Sequence, residues 1–469
     1  MKSDLFLGGQ WISSTEKMNV LNPFDETVIA TISLAGEEHI ERAIALAGKA
    51  KKAYASLSTG DISAILMQIT RELEARIEEF ANLIVLESGK PYRYARGEVQ
   101  RGIETFRVAA EECKRIPGEI LALDWTEPGR GKKGRVEYKS AGIIAGISPF
   151  NFPLNLVAHK IAPAIATGSP ILLKPSSSTP LTALLLADVI ARTNLPEGAL
   201  SVLPCSRVTG QKLVEDPRIN VLSFTGSPDV GWKMKAQAGK KKVVLELGGN
   251  AAAIVHKDAD IAATVQKLIV GGYAYSGQVC IHTQRIFIHK DKYAEFRELY
   301  CQEVEKLRAG DPSDKDTRYG VMIDEKNAIR VEDWLKEAEE YGAKIICGGE
   351  RKGALILPAV VENAAKGMKI WDEEVFGPVV CLDYYSTLDE VIDKVNDSRF
   401  GLQASVFSTD HEVLETCYAR LEVGGMIVNE STTFRVDQMP YGGVKDSGFG
   451  REGVKYAMMD YLEPKLMVF

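Results

Sequence analysis

Short apolar runs alternate with longer amphipathic stretches over the middle of the chain. The runs with the composition of β-strands are residues 143–147, 171–174, 200–203, 221–224 and 243–246. The candidate helices between them lie near 152–168, 180–193 and 228–238. Because parallel strands need a crossover connection, which is usually a helix, this alternation predicts a parallel α/β sheet.

A second region with this alternation runs from about residue 257 to residue 425. It predicts a helix near 290–308 and a strand at 344–346, and another strand follows at 426–428. The chain has 469 residues, and a single core seldom grows beyond roughly 250–300 residues. We therefore expect two α/β units.

The flanking segments follow other patterns. The first hundred residues are predicted to be mostly helical, at 37–56 and 61–89. Residues 117–139 carry prolines and glycines around short extended stretches, so this segment is predicted to leave the main fold. Within it, residues 129–134 match G-x-G-x-x-G but neither follow a predicted strand nor open a predicted helix. No phosphate-binding loop is expected there.

Composition argues against several classes of protein. The chain is 45% hydrophobic and 26% charged, and its net charge of −7 comes without a block of lysines and arginines. Nucleic-acid binding is therefore not expected. No apolar stretch reaches the roughly 18 residues of a membrane span, and the N-terminus lacks the apolar core of a secretion signal. No membrane partner is expected.

Seven cysteines are scattered along the chain, at positions 113, 205, 280, 301, 347, 381 and 417. Their number is odd and no Cys-x-x-Cys spacing occurs, so neither a disulfide framework nor a metal site is expected. Free thiols are typical of a reducing compartment, which predicts a cytoplasmic protein.

One of these thiols is a candidate nucleophile. Cys280 follows Ser276 and Gly277, whose small size would let a substrate approach the sulfur, although a free cysteine more often packs as a small apolar group. Glu246 ends a predicted strand before two glycines, at the edge where α/β sheets bind ligands. Asn151 lies between a predicted strand and a helix, where it either caps the helix or donates to an oxyanion.

The order of several motifs resembles that of the aldehyde dehydrogenase superfamily from end to end. The matching motifs are FNFP at 150–153, LKPS at 173–176, FTGS at 224–227 with Gly231, ELGGN at 246–250, GQVC at 277–280, EEVFGP at 373–378 and PYGGVKDSG at 440–448. The interval of 34 residues between Glu246 and Cys280 also agrees with this family.

The resemblance implies a two-step oxidation of an aldehyde to its acid. Cys280 would attack the carbonyl carbon as a thiolate, while the amide of Asn151 and the backbone N–H of Cys280 hold the oxyanion. Glu246 would then activate water to hydrolyse the thioester. Two alternatives stay open. Relatives that pass the acyl group to coenzyme A commonly lack this glutamate, and some lens crystallins are inactive proteins on this fold.

The resemblance also implies a set of cofactor-binding residues. These are Lys174 and Ser177 at the adenosine ribose, Gly226 and Ser227 with Gly231 at the pyrophosphate, and Glu374 and Phe376 at the nicotinamide and its ribose. Many NAD-preferring relatives carry a glutamate three residues after Lys174. Here that position is the neutral Ser177, so either NAD or NADP is expected.

Four residues are implied for the substrate tunnel, namely Arg101, Phe152, His159 and Arg435. Phe152 and His159 are seven residues apart, on one face of a predicted helix. Both arginines match residues that hold the phosphate in non-phosphorylating glyceraldehyde-3-phosphate dehydrogenases. Two arginines without counter-ions would favour an aldehyde with an anionic tail.

A simpler interpretation pairs Arg101 with Glu98 or Glu104, and Arg435 with Asp437. The chain also departs from relatives that take anionic aldehydes, because valine precedes the nucleophile and His159 replaces the arginine of succinic semialdehyde dehydrogenases. Succinic semialdehyde is therefore less favoured. Glyceraldehyde-3-phosphate, phosphonoacetaldehyde, sulfoacetaldehyde and the neutral lactaldehyde remain candidates.

The resemblance implies three structural parts. We expect a Rossmann-like NAD(P)-binding domain of residues 1–116 and 138–248, an α/β catalytic domain of residues 249–458, and a small β bridging element of residues 117–137 and 459–469. In the family this element joins subunits, so a homodimer or homotetramer is expected.

Overall fold

The computed structural model describes residues 3–469, and its N-terminal part combines short strands with long helices. The elements are β1 (Leu5–Leu7), β2 (Gln10–Ile12), β3 (Lys17–Leu21), β4 (Val28–Ser33), α1 (Glu37–Ala55), α2 (Thr59–Ala75), α3 (Ile77–Ser88), α4 (Tyr92–Glu112), β5 (Gly118–Ala122) and β6 (Lys133–Ser140). The predicted helix at 61–89 is two helices that meet at Arg76. Strands β1–β4 were not predicted, because runs this short carry little periodicity.

The middle of the chain folds as the alternating pattern predicts. Its elements are β7 (Ile144–Ile147), α5 (Asn155–Ala166), β8 (Ile171–Lys174), α6 (Leu181–Ile190), β9 (Leu200–Val202), α7 (Arg207–Glu215), β10 (Val221–Thr225), α8 (Pro228–Gln237) and β11 (Lys242–Glu246). All the strands predicted for this region are present. Helix α5 is buried along its whole length. The strands before and after it, β7 and β8, are buried as well.

The rest of the chain builds the second α/β unit. Its elements are β12 (Ala251–Val255), α9 (Ile261–Tyr273), β13 (Thr283–His289), α10 (Tyr293–Val304), α11 (Glu325–Glu340), β14 (Lys344–Cys347), β15 (Arg351–Lys352), β16 (Leu355–Ile356), β17 (Ala359–Glu362), α12 (Lys369–Asp372), β18 (Val379–Tyr385), α13 (Leu388–Asn396), β19 (Phe400–Gly401), β20 (Gln403–Phe407), α14 (His411–Arg420), β21 (Gly425–Val428), β22 (Val444–Lys445), β23 (Gly448–Phe449), α15 (Val454–Asp460) and β24 (Leu462–Val468).

Over residues 3–469, the first sheet has the strand order β2-β1-β9-β8-β7-β10-β11-β23. The strands from β9 to β11 pair in parallel, while β1, β2 and β23 add antiparallel edges. From β7 the chain moves first to β8 and β9, and then back to β10 and β11 on the other side. The crevice between β7 and β10 is therefore a topological switch point, where open α/β sheets bind their ligands.

The second sheet has the order β14-β17-β18-β13-β12-β20-β21, and only the β14–β17 pair is antiparallel within the described residues. Glu246 ends β11 in the first sheet, whereas Cys280 shortly precedes β13 in the second. Glu246 thus belongs to the first α/β unit and Cys280 to the segment that leads into the second, and the hydrogen bond from Asn151 to Gln278 joins the two units beside the nucleophile candidate.

A third sheet confirms the small bridging element. Strand β6 pairs with both β5 and β24 in antiparallel register. Strand β6 of this element extends to Ser140, beyond the predicted limit at residue 137. Strand β23 lies within residues 249–458, which were predicted to be catalytic, but it pairs with β11 of the first sheet. The exact domain limits remain a prediction. Among the described residues, no helix has both the length and the apolar composition that a membrane crossing requires.

Candidate active site

The turn that carries Cys280 has an unusual backbone. Tyr275 and Ser276 have positive φ angles of 50° and 54°, and Gly277 follows at 69°. A Cβ atom at Gly277 would lie 2.1 Å from the carbonyl oxygen of Gly377, so a side chain cannot fit there. Non-glycine residues in this region are strained and persist only where the surroundings hold them. The position of the sulfur is therefore fixed by the packing around this turn.

The thiol of Cys280 is half-buried, and its Sγ lies 2.8 Å from the phenol oxygen of Tyr441. Burial raises the pKa of Cys280 to about 12, although the contact with Tyr441 acts in the opposite direction. A thiol with this pKa is almost entirely protonated at neutral pH. It must lose its proton before it can attack a carbonyl, and a positive charge brought near the sulfur would favour that loss.

Glu246 is buried at the carboxyl end of β11. Its Oε1 accepts a hydrogen bond of 3.2 Å from the backbone N–H of Glu452, and its Oε2 has no protein partner within residues 3–469. Burial raises the pKa of Glu246 well above its usual value, and the negative charge of Glu452 adds to this. A carboxylate with a raised pKa and a free oxygen has the properties of a general base.

Asn151 lies beside the turn of Cys280. Its Nδ2 donates to the carbonyl of Gln278 at 2.9 Å, which leaves one amide hydrogen, and its buried Oδ1 has no partner in the described chain. Helix α5 begins at Asn155 with Leu154 as its N-cap. The capping role considered for Asn151 is therefore excluded, and a role as hydrogen-bond donor remains.

A cavity of about 710 Å³ lies at the carboxyl ends of β7, β8 and β10. The predicted cofactor residues that line it are Lys174, Ser177, Gly226 and Ser227. Ser227 is the N-cap of α8 and its side chain makes no capping bond, so the helix N-terminus is open to an anion. The hydroxyl of Ser148, which lines the same cavity, is buried without a partner in the described chain. These features fit a dinucleotide.

The other predicted cofactor residues, Gly231, Glu374 and Phe376, do not line this cavity. Gly231 packs against Leu247, because a Cβ atom at Gly231 would lie 2.4 Å from the side chain of Leu247. Glu374 accepts a hydrogen bond of 3.2 Å from the N–H of Gly249, and burial raises its pKa to about 7. Phe376 has a positive φ of 44°, and its ring meets that of Phe150 edge to face at 5.8 Å.

The sequence pattern did not single out Arg207, which lines the same cavity. It is exposed at the first position of α7, just beyond the carboxyl end of β9. Helix α7 is amphipathic and carries several charged residues, so Arg207 resembles an ordinary surface residue. Only its position after a parallel strand could have identified it.

A second cavity, of about 290 Å³, reaches Cys280. Arg101, Phe152, Arg435 and Tyr441 line it as well. The structure thus brings together the nucleophile and three of the four residues predicted for the substrate tunnel.

The two arginines predicted for the tunnel, Arg101 and Arg435, already have counter-ions, contrary to the expectation of an uncompensated pair. Arg101 binds Asp437 through two hydrogen bonds, from Nη2 at 2.9 Å and from Nε at 3.4 Å. Arg435 donates to Glu452 at 3.0 Å, and its guanidinium lies 3.7 Å from the ring centroid of Tyr441. The simpler interpretation was also wrong in detail, because Asp437 pairs with Arg101 instead of Arg435.

His159 corrects another expectation, because it lies behind the cavity wall and does not line it. Its Nε2 is 2.8 Å from Oδ1 of Asp437. Burial lowers the pKa of His159, and the charge of Arg435 lowers it further. A neutral imidazole that donates to Asp437 supports the carboxylate that holds Arg101. Glu98 and Glu104 pair with Lys90 and Arg107 respectively.

A nucleotide-sized cavity at a switch point and a second cavity ending on a thiol define a dinucleotide-dependent oxidoreductase. The chain belongs to the aldehyde dehydrogenase family, whose characteristic sequence matches residues 11–467. It oxidises an aldehyde to the carboxylic acid and uses NAD or NADP.

Three relatives are similar over nearly the whole chain. A 3-sulfolactaldehyde dehydrogenase of Priestia megaterium is 43% identical over 99% of this chain and 97% of its own. Aldehyde dehydrogenase 21 of Physcomitrella patens, solved in complex with the reaction product succinate, is 45% identical with a TM-score of 0.98, covering 99% and 98% of the two chains. The glyceraldehyde-3-phosphate dehydrogenase of Methanocaldococcus jannaschii, solved with NADP, is 37% identical with a TM-score of 0.93, covering 97% and 100%.

The exposed Ser177 generates a prediction about cofactor choice. Ser177→Glu should lower kcat/KM with NADP by roughly 5-fold and leave NAD nearly unchanged, because an exposed like-charge contact costs about 1 kcal/mol. Initial rates with both cofactors measure this. Ser177→Gln, which is as large but uncharged, is the matched control. An equal loss with NAD and NADP would show that residue 177 does not face the 2′-oxygen.

Proposed function

We propose that Cys280, Asn151 and Glu246 carry out the oxidation, and that the substrate is a small aldehyde with an anionic tail. The observation that carries the proposal is the second cavity, which contains both the thiol of Cys280 and the guanidinium of Arg101. A carbonyl at the sulfur and an anion at the arginine would fit one short molecule.

The chemistry follows from the positions of these groups. The Cys280 thiolate attacks the carbonyl carbon, and the remaining amide hydrogen of Asn151 and the backbone N–H of Cys280 stabilise the negative oxygen. When bound, the nicotinamide would accept the hydride that leaves the former carbonyl carbon, and a thioester on Cys280 would remain. The free Oε2 of Glu246 then takes a proton from the water that hydrolyses the thioester, which releases the acid and restores the thiol.

Arg101 is the residue best placed to hold the anionic tail. Its side chain is 28% exposed, and Asp437 engages only Nε and Nη2, which leaves Nη1 for a ligand. Arg435 is 5% exposed and is fixed between Glu452 and Tyr441, so it forms the wall of the cavity. A charge-assisted bond from Arg101 would suit a sulfonate or a carboxylate.

The relatives support this class of substrate. Their names and ligands refer to 3-sulfolactaldehyde, which carries a sulfonate, and to succinate, which is a dicarboxylate. Succinic semialdehyde therefore returns as a candidate beside sulfonated aldehydes, although His159 stands where succinic semialdehyde dehydrogenases typically carry an arginine. His159 faces Asp437 and not the cavity, so an arginine at that position is not needed to hold the tail.

For the cofactor, we propose that Lys174 and Arg207 together favour NADP. Lys174 has no acidic partner within residues 3–469, since its only close polar contact is the carbonyl of Pro175 at 3.5 Å. A 2′-phosphate between these two cations would gain charge-assisted hydrogen bonds. The NADP-bound relative from Methanocaldococcus jannaschii supports this preference.

We further propose that the chain forms homo-oligomers in the cytoplasm. Strand β24 is an edge of the third sheet, and its residues Leu466 and Val468 are 54% and 48% exposed. An exposed apolar edge strand presents unpaired backbone groups that can pair with a strand of another chain. All seven cysteines are free thiols, which supports a reducing compartment.

The oligomer is tested at this edge. Leu466→Lys with Val468→Lys should convert the assembly to smaller species in analytical ultracentrifugation, because charged side chains oppose strand pairing between subunits. Tyr418→Lys is the control, because it places a lysine at an exposed residue outside the third sheet, and it should not change the mass. An unchanged mass in the double variant would place the subunit contact elsewhere.

The role of Glu246 is tested by rapid mixing. Glu246→Gln should still form the thioester, so reduced nicotinamide should appear in a burst near one per site, followed by turnover slowed at least about 100-fold. In the wild-type enzyme, the hydrolysis step should become faster as the pH rises through the raised pKa of Glu246, because only the carboxylate accepts a proton.

Cys280→Ala is the matched control for this experiment. It should show neither burst nor turnover, while still binding the cofactor. A Glu246→Gln variant without a burst would contradict the assignment, because Glu246 would then be needed before hydride transfer.

The role of Arg101 is tested with two aldehydes. Arg101→Gln should raise KM for succinic semialdehyde about 10-fold, which corresponds to about 1.4 kcal/mol, and should change KM for propionaldehyde less than about 2-fold. The single variant also leaves the buried Asp437 without its arginine. The double variant Arg101→Gln/Asp437→Asn removes this charge and should keep the high KM for the anionic aldehyde. Recovery of a low KM in the double variant would show that Arg101 acts only as a partner of Asp437.

A further inference from the structure

One face of helix α4 forms a side of the substrate cavity. Arg93, Gly97 and Arg101 recur every four residues, and all three line the cavity that reaches Cys280. Residues at this spacing lie above one another along a helix. The cavity therefore runs along α4 from Arg101 toward the first turn of the helix, where Arg93 lies.

Arg93 differs from the other arginines of this helix, because it has no acidic partner within residues 3–469. Arg96 binds Glu78 at 3.1 Å and Arg101 binds Asp437. Arg93, by contrast, is exposed, and its Cζ atom lies 5.6 Å from the ring centroid of Tyr94.

The charges near Arg93 are positive. Arg93 and Arg318 are the charged groups that act on the neighbouring phenol of Tyr94, which also lines the cavity. Glu98 also lines the cavity but is paired with Lys90, so among the described residues no carboxylate is paired with Arg93 at the outer end. Such a guanidinium is available to an anionic ligand.

Gly97 keeps the space between the two arginines open. A Cβ atom at this position would have no other atom within 4 Å, so a side chain here would project into empty space. Glycine in the middle of a helix destabilises it by roughly 0.5–1 kcal/mol relative to alanine. The sequence therefore carries this cost at a position that faces the cavity.

We infer that Arg93 forms an outer anion-binding position, which admits aldehydes whose anionic group lies farther from the carbonyl than in a four-carbon semialdehyde. Eight helical residues separate the Cα atoms of Arg93 and Arg101 by about 12 Å along the axis. Arg101 would hold the anion of short substrates, and Arg93 that of longer ones. This inference rests on the proposed function, because the carbonyl must lie at Cys280 in both cases.

The test uses a series of ω-oxocarboxylates, from succinic semialdehyde to 10-oxodecanoate, with the uncharged aldehydes of equal length as references. Arg93→Gln should raise KM for the longest oxocarboxylates about 10-fold, with less than about 2-fold change for succinic semialdehyde and the uncharged aldehydes. Because Arg93 is exposed, the effect should decrease with added salt.

Arg96→Gln is the matched control, since it removes an exposed arginine of the same helix that does not line the cavity. It should leave the whole series unchanged. Equal increases for short and long oxocarboxylates in Arg93→Gln, or no increase for any, would overturn the inference.

Failure of the outer position can be distinguished from failure of the proposed inner site. If Arg101→Gln leaves succinic semialdehyde unaffected while Arg93→Gln raises KM for the long oxocarboxylates, the proposed inner site fails and the outer position stands. The opposite pattern keeps the proposed function and removes the outer position.

Discussion

The geometry of the substrate cavity depends on one buried carboxylate, that of Asp437. It accepts hydrogen bonds from Arg101 at 2.9 Å, from His159 at 2.8 Å and from Asn155 at 3.1 Å. These bonds connect α4, α5 and the loop that carries Asp437. Its neighbours hold the pKa of Asp437 far below its usual range despite burial, so the group is a carboxylate at neutral pH. Removing one partner of such a buried charge is far more costly than the pair is stabilising.

A second buried carboxylate performs a related task for the catalytic base. Glu452 lies near Lys160 and Arg435, and its own pKa is lowered to about 2 by these cations. Its charge raises the pKa of Glu246 in turn, so the two neighbouring carboxyl groups have different protonation behaviour. Environments that separate the pKa values of two neighbouring acids in this way are typical of catalytic sites. Arg435, which was first considered for the substrate, therefore also affects the pKa of Glu246.

The sequence predicted the features that arise from local pattern. The apolar runs predicted for the first sheet are strands in the structure. Parallel strands that are buried on both faces are nearly continuous apolar runs, which are easy to recognise in a sequence. The motifs led to Cys280, Glu246 and Asn151, which do lie near one another. Which acid binds which arginine could not be predicted, because Arg101 and Asp437 are 336 residues apart and their pairing depends on how the loop of Asp437 packs against α4 and α5. The expectation that His159 lines the tunnel was wrong for a related reason. Periodicity assigns a residue to a face of a helix, but it does not show which neighbour covers that face.

The close contact between Gly277 and Gly377 has a consequence for the order of events in the catalytic cycle. The first glycine belongs to the turn of the nucleophile, and the second follows Glu374 and Phe376, which lie next to the cofactor cavity. Two backbones in direct contact, with no side chain between them to adjust, transmit a displacement from one to the other. A displacement of the segment around Gly377 would therefore be passed to the turn that carries Cys280. The alignment of the thiol is in this sense tied mechanically to the segment of Glu374 and Phe376.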